Sequence, residues 1–262
     1  MVTRARLDAE LVRRGLARSR GQAAELIEAG RVAVRGIPAE KPATVVDRDT
    51  PVTVVATAER QWASRGAHKL IGALDALAVD PAGLRCLDAG ASTGGFTDVL
   101  LDRGAREVIA VDVGYGQLVW RLRSDARVRV HDRTNVRALT PAEIGGPAQL
   151  TVADLSFISL RTVLPALAAC TEGVLLPMVK PQFEVGKHRL GAGGVVRDPE
   201  LRLAALRDVA AAARELGLRL TGAVASPLPG PSGNVEFFLC LRRDVGDVGD
   251  DALSHAVGMG PS

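Results

Sequence analysis

The chain has 262 residues, 47% hydrophobic and 24% charged, which suits one large folded domain or a medium one beside a small one. Aromatic residues make up only 3%, which argues against a broad base-stacking platform. Net charge is +3, yet residues 1–35 alone hold eight arginines against four acids. The basic surplus therefore sits at the N-terminal end, as in a module that binds a polyanion; a solvated helix face gives the same count.

Cys86, Cys170 and Cys240 are far apart, each in an apolar segment. They read as buried thiols of a reducing, cytoplasmic compartment, with no disulfide framework. His68, His131, His188 and His255 show no zinc spacing with them, so no metal is expected. Residues 1–20 are basic and periodic, without the apolar core of a signal peptide. The longest apolar runs, such as Val174–Val179, are too short to span a bilayer.

Leu7, Leu11 and Val12 form a helical stripe ending near Gly15. Ser19 and Gln22 make a capping box for a second helix, which Leu26 and Ile27 continue and Gly30 stops. Val32 and Val34 alternate with polar residues, Gly36-Ile37-Pro38 turns, and Val52, Val54 and Val55 read as another strand. Arg13, Arg14, Arg18 and Arg20 cluster around the interhelical turn, where a positive patch can track a phosphate backbone. The stretch from Arg6 through Gly15, Arg18-Ser19-Arg20, Ala23, Ile27, Gly30-Arg31-Val32, Val34 and Gly36 resembles the RNA-binding domain first seen in small-subunit ribosomal protein four, the α-L motif. That resemblance implies binding of structured RNA by shape and phosphate contacts. Segment 59–64 reads as a linker, with Trp62 either packing at the junction or stacking on a base.

From Arg65 onward helix and strand alternate. A helix is expected near Ala67–Leu77, and strands at Arg85–Asp88, Glu107–Asp112, Val128–His131, Leu150–Asp154, Val174–Val179, Arg219–Ala225 and Val235–Leu241. Helices are expected at Phe96–Arg103, Gln117–Arg123, Leu160–Ala169 and Pro199–Leu216. This is an α/β pattern with a mostly parallel, doubly wound sheet. The last two strands are joined only by the short Pro227–Gly233 segment, too short for a parallel crossover, so the sheet should end in an antiparallel pair. Residues 244–262 are acidic and weakly apolar and read as a disordered tail.

The most informative stretch is Leu84–Leu100. An apolar run ends in Asp88, a turn carries Gly90, Gly94 and Gly95, and a helix opens at Phe96. This is the strand–turn–helix unit that brings backbone close to a nucleotide-like ligand, but its spacing differs from the dinucleotide fingerprint G-x-G-x-x-G. A carboxylate at the strand end and a wider turn suit a ligand with an amino-acid moiety and no pyrophosphate, such as S-adenosylmethionine. An ordinary βα turn is the alternative reading. Asp112 ends the second strand, 24 residues after Asp88, and is placed to bond ribose hydroxyls; Asp132 follows the third and could meet the adenine amino group. Either could instead cap a helix. The expected cofactor contacts are Asp88, Gly90, Ser92, Thr93, Gly94, Gly95, Phe96, Asp112 and Asp132.

Four charged residues come from distant segments. Lys69 opens the helix before the first strand, Asp154 ends the fourth strand in Asp-Leu-Ser-Phe, Lys180 closes the fifth, and Glu236 opens the last. A lysine ending an apolar strand is costly unless paired. Two lysines interleaved with two carboxylates can hold one amine neutral long enough to take a hydroxyl proton. Asp154-Leu-Ser-Phe lacks the prolines that shape the pocket of amino-directed methyltransferases.

The domain resembles the FtsJ-like ribose 2′-O-methyltransferases, whose signature is a Lys-Asp-Lys-Glu tetrad in this order. Residues 6–241 are similar to the hemolysin A-type (TlyA) rRNA methyltransferases. The segments that carry the likeness are Ser64-Arg-Gly-Ala-His-Lys-Leu, Asp88-Ala-Gly-Ala-Ser-Thr-Gly-Gly-Phe, Asp112-Val-Gly-Tyr-Gly-Gln-Leu, Asp154-Leu-Ser-Phe-Ile-Ser, Lys180-Pro-Gln-Phe-Glu-Val-Gly and Pro229-Gly-Pro-Ser-Gly-Asn-Val-Glu236. The resemblance implies an RNA-binding domain at 1–58, a linker at 59–64, a Rossmann-like methyltransferase domain at 65–243, and a monomer. It implies S-adenosylmethionine-dependent methylation of cytidine 2′-hydroxyls in ribosomal RNA of one or both subunits, which governs sensitivity to capreomycin-type antibiotics. Lys69, Asp154, Lys180 and Glu236 would be catalytic. Arg4, Arg6, Arg13, Arg14, Arg18 and Arg20, with Lys187 and Arg189 beside the mobile loop Gly191–Gly194, would grip the RNA. An amino-directed RNA methyltransferase, a membrane-active hemolysin, and an RNA-binding or ribosome-assembly factor with a degenerate methyltransferase domain are the competing readings; the second lacks a spanning segment and a strongly amphipathic surface helix, and the intact tetrad argues against the third.

Overall fold

The computed structural model describes residues 4–17, 19–55, 60–186, 189–230 and 232–260. The chain divides into two compact units, Met1–Gln61 and Trp62–Ser262.

In the first unit, β1 (Arg4–Arg6) leads directly into α1 (Leu7–Arg13), and α2 (Arg20–Glu28) follows. Ser19 caps α2 by accepting from the Gln22 amide at 3.2 Å, as the sequence pattern predicts. Leu7, Leu11, Ala23, Leu26 and Ile27 share one small core with Val32 and Val46. β2 (Val32–Val34) lies between β3 (Ile37–Pro38) and β5 (Val52–Val54), while β1 pairs antiparallel with β4 (Val45–Asp47). The β1–β4 pair has only three residues a side, too few for a periodicity to register.

The second unit opens with α3 (Gly66–Ala76). Then come β6 (Arg85–Ala89), α4 (Gly95–Asp102), β7 (Glu107–Val111), α5 (Trp120–Arg123), β8 (Val128–His131), β9 (Ala148–Ala153), α6 (Leu160–Ala169) and β10 (Thr171–Val179). The remainder is α7 (Pro181–Glu184), α8 (Pro199–Glu215), β11 (Arg219–Ala225), β12 (Phe237–Arg242) and α9 (Asp250–Met259). The seven strands form one sheet in the order β11-β12-β10-β9-β6-β7-β8. β12 runs antiparallel to both of its neighbours, and the other pairings are parallel. The α/β sheet with its terminal antiparallel pair therefore stands as expected.

Successive strand residues feed two cores. Leu175, Val179, Phe237 and Leu239 enter one; Leu176, Met178, Phe238 and Cys240 enter the other. Strands covered on both faces lose their polar alternation, which is why they read as unbroken apolar runs.

Residues 244–262 are not a disordered tail throughout. α9 buries Leu253 and Ala256 and packs on α8 and β11. Two of the four acids that suggested solvation have cationic partners: Asp247 pairs with Arg214 at 2.9 Å and Asp250 with Arg207 at 2.8 Å. Asp250 and Asp251 also lie in the first turn of α9, where the helix dipole favours negative charge.

Candidate active site

Parallel register brings the expected residues to one edge. Ala89 pairs with Val111 and Ala153, Val111 with His131, and Pro177 with Ala153. The next residue after each of four strands, Gly90, Asp112, Asp132 and Asp154, therefore lies at the carboxyl edge, where open α/β sheets bind ligands. Val179 pairs antiparallel with Phe237, which sets Lys180 across from Glu236 at the same edge.

The glycine turn is shaped by close approach. Gly90 has φ +91°, and a Cβ there would run into the Asp154 backbone carbonyl. Gly94 has φ +101° and caps α4; both values lie in the region that disfavours side chains. Ser92 also has positive φ, and its amide donates to Asp112 Oδ2 at 2.8 Å. The other oxygen of Asp112 accepts from the Gly114 amide at 2.7 Å. Asp132 pairs with Arg123 at 2.8 Å, which holds its carboxyl below the usual carboxylate range.

Two expected cofactor contacts lie inside the protein. Phe96 is buried and packs against Phe238, ring centroids 6.0 Å apart. Asp88 is 0% exposed; its Oδ2 accepts from Thr97 Oγ1 at 2.6 Å, and its Oδ1 is buried with no partner. Burial, with Asp154 and Asp112 nearby, pushes the Asp88 pKa up to about 7. These residues support the turn from beneath. The side-chain-free cradle at Gly90, where a Cβ would meet the Asp154 carbonyl, fits a ligand that approaches the backbone closely.

The four charged residues form two ion pairs. Lys69 Nζ lies 2.5 Å from Glu236 Oε2, and Lys180 Nζ lies 2.6 Å from Asp154 Oδ1. Lys180 also donates to Ser156 Oγ at 2.8 Å. Lys69 is 9% exposed and Glu236 1%, so each charge is placed at low dielectric beside its opposite. A Cβ at Gly230 would sit 2.6 Å from Glu236 Oε1, so a side chain there would force the carboxylate to shift.

The two units have known relatives. Residues 62–243 match the FtsJ-like methyltransferase family and residues 5–52 the S4 domain. The chain belongs to the FtsJ-like methyltransferases. It is 62% identical to the 16S/23S rRNA (cytidine-2′-O)-methyltransferase TlyA of Mycobacterium tuberculosis, over 100% of both chains. Hemolysin A of Brachyspira hyodysenteriae is 33% identical, over 88% of this chain and 97% of that one. The solved structure of a hemolysin-named protein from Streptococcus thermophilus superposes with TM-score 0.77 at 36% identity, over 98% of this chain and 96% of that one. Among the described residues no helix is long and apolar enough to cross a membrane.

The arginines of the S4 unit are not equivalent. Arg6 and Arg20 both bond the nearly buried Asp8, at 3.0 and 2.9 Å, and keep their heads half or more exposed. Arg13 leans on buried Glu10 at 2.6 Å, and Arg4 stands 3.5 Å from Asp47. Arg14 is different: it is 20% exposed, pairs with Glu10, and donates to the Thr50 and Arg48 carbonyls at 2.8 and 2.7 Å. Its hydrogen-bonding capacity goes into the fold, so it departs from the expected RNA-contacting set. Arg18 and Lys187 lie outside the described residues, and Arg189 is exposed. The loop expected to be mobile is bonded at its end to the segment just before Glu236: Asn234 accepts from the Val196 amide at 2.9 Å and donates to the Gly194 carbonyl at 3.1 Å.

Sequence reasoning missed the aromatic residues of this edge. Phe157 is 91% exposed at φ +65°, a conformation that costs a bulky residue about 1–2 kcal/mol. It lies 5.3 Å from Phe183 between ring centroids. Tyr115 is exposed, with the Arg133 guanidinium 4.4 Å from its ring centre, and Trp120 is exposed at the start of α5. Low aromatic content masked them; the signal available was that Phe157 and Tyr115 sit inside the charged motifs. Trp62 packs against the core of the second unit.

Proposed function

We propose that the protein transfers a methyl group from S-adenosylmethionine to the 2′-hydroxyl of a cytidine in ribosomal RNA. The observation that carries the reading is Lys180, bonded to Asp154 and Ser156 at the edge of the glycine turn and set across from the Lys69–Glu236 pair. The name of the Mycobacterium tuberculosis relative supports both ribosomal subunits as sources of the acceptor.

The backbone of Gly90, Ser92, Thr93 and Gly94 would hold the cofactor, with Asp112 on its ribose and Asp132 toward its adenine. When bound, the cofactor supplies a methyl group already activated on sulfonium, so the chain has to position the acceptor and manage one proton. Once its ammonium has released a proton to solvent, Lys180 takes the 2′-hydroxyl proton at Nζ, while its two remaining N–H bonds donate to Asp154 and Ser156 and so fix the direction of the lone pair. Lys69, held by Glu236, donates to the acceptor oxygen and steadies the charge that develops there. Phe157, next in the chain to the Ser156 that Lys180 bonds, offers an exposed ring face for the base of an unstacked nucleotide. Arg4, Arg6, Arg13, Arg20 and Arg189 supply phosphate contacts.

The test is tritiated methyl transfer to purified 30S and 50S subunits and to free rRNA, followed by mass spectrometry of the nucleosides. 2′-O-methylcytidine is the expected product. A base-methylated nucleoside, or no transfer to any of the three, overturns the proposal.

A further inference from the structure

Glu184 belongs to the Lys-Pro-Gln-Phe-Glu segment but has no part in the reaction above. It closes α7 and is buried, and burial pushes its pKa up. A buried carboxylate persists where its oxygens are bonded, and both of these serve one short segment. Oε2 accepts from Ser159 Oγ at 2.6 Å and Oε1 from the Leu160 amide at 2.7 Å. Arg161 Nε stands 3.6 Å from Oε2. Ser159 occupies the N-cap position of α6 but makes no side-chain capping bond. Glu184 supplies that acceptor from a different part of the chain, satisfying an amide that the helix start leaves without an intrahelical partner.

The segments 154–160 and 180–184 are therefore joined at successive points. Lys180 binds Asp154 and Ser156, Phe183 stacks obliquely on Phe157, and Glu184 binds Ser159 and Leu160. Phe157 lies between the lysine clamp and the glutamate clamp. A left-handed conformation at an exposed phenylalanine survives only when its surroundings over-determine it. With the second clamp removed, the chain after Phe157 is free to relax toward ordinary backbone angles and carry the ring away from Phe183.

We propose that Glu184 is a positioning residue: it acts through Phe157, closing the loop so that the ring is presented to the acceptor nucleotide, and it sets affinity for RNA without touching cofactor or reacting atoms. This rests on the reading of Phe157 as a stacking face.

The experiment measures kcat/KM on ribosomal subunits, S-adenosylmethionine Kd by calorimetry, and Leu160 amide exchange, for Glu184→Ala, Glu184→Gln, Phe157→Ala and the Phe157→Ala/Glu184→Ala pair. Loss of one stacked base predicts that Glu184→Ala and Phe157→Ala each lower kcat/KM about tenfold, chiefly through KM. The double variant should fall no further than Phe157→Ala, since both act through one group. Glu184→Gln should stay within about threefold of wild type, because the amide oxygen still accepts from Leu160 and its NH₂ can donate to Ser159 Oγ. Cofactor Kd should be unchanged in all, and Leu160 exchange should accelerate in Glu184→Ala.

Wild-type kcat/KM in Glu184→Ala, losses that multiply in the double variant, or weakened cofactor binding would each overturn the proposal. Wild-type kcat/KM in Phe157→Ala would instead remove the stacking reading, while Leu160 exchange still reports whether Glu184 closes the loop. If Glu184→Ala does not fold, Ser159→Ala takes its place: a smaller KM effect that vanishes in the Phe157→Ala background supports the proposal, and an additive one defeats it.

Discussion

Replacing Asp88 with Asn should stabilise the methyltransferase unit at high pH and not at low pH. The carboxyl is 0% exposed, with one oxygen bonded to Thr97 and the other unpartnered. Its ordinary pKa of 3.8 is pushed up to about 7 in the folded protein, chiefly by burial. A raised carboxyl pKa means that the folded state holds a proton which the unfolded state has released. Wild-type stability therefore falls as pH climbs from the unfolded pKa toward the folded one, by about 1.4 kcal/mol per pH unit, and levels off above it. Between pH 5 and pH 8 the loss is about 2.5 kcal/mol, and Asp88→Asn does not share it. The Asn oxygen still accepts from Thr97, while its unpaired NH₂ adds a cost that is the same at every pH. Urea unfolding of both proteins at pH 5, 6, 7 and 8, followed by tryptophan fluorescence, measures the difference. Both tryptophans, Trp62 and Trp120, lie in the second unit, so the signal reports the transition that contains Asp88. A stability gap that stays constant from pH 5 to pH 8 would refute the reasoning.

Lys180→Ala should lower kcat at least about a hundredfold, the range of a lost general base, with cofactor Kd unchanged by calorimetry; full activity would remove Lys180 from the reaction. Gly90→Ala should abolish cofactor binding in the same calorimetry, because its Cβ meets the Asp154 carbonyl at φ +91°; an unchanged Kd would contradict the cradle. Arg14→Ala should accelerate amide exchange across α1, corresponding to about 2 kcal/mol from two or more lost hydrogen bonds to backbone. Arg4→Ala should leave that exchange alone and reduce the salt dependence of RNA binding by about one charge. The opposite pattern in the two arginines would show that their roles have been exchanged.

The α/β class and the terminal antiparallel pair were legible because each has a local cause, and among the four charged residues only Asp154 and Lys180, which close strands, carried a local signal of their own. A strand covered on both faces must be apolar along its length, a short Pro/Gly connection permits only an antiparallel return, and a charged residue closing an apolar strand needs a purpose. The glycine turn was legible because only glycine tolerates backbone at φ +91° against a neighbouring carbonyl.

What the tertiary structure alone decided concerns partners distant in sequence. Composition counts Arg14 with the RNA-facing arginines, but the Thr50 and Arg48 carbonyls that hold it arrive from a separate turn. It also reads residues 244–262 as a solvated tail, because the arginines that neutralise Asp247 and Asp250 lie on α8. Asp88 and Phe96 stand in the cofactor motif, yet side-chain direction turns both into the core. Lys69 and Glu236 are separated by 167 positions and meet at 2.5 Å. Local sequence specifies which groups are present and which backbone angles they tolerate; sheet register, set by the packing of both cores together, determines which of them meet.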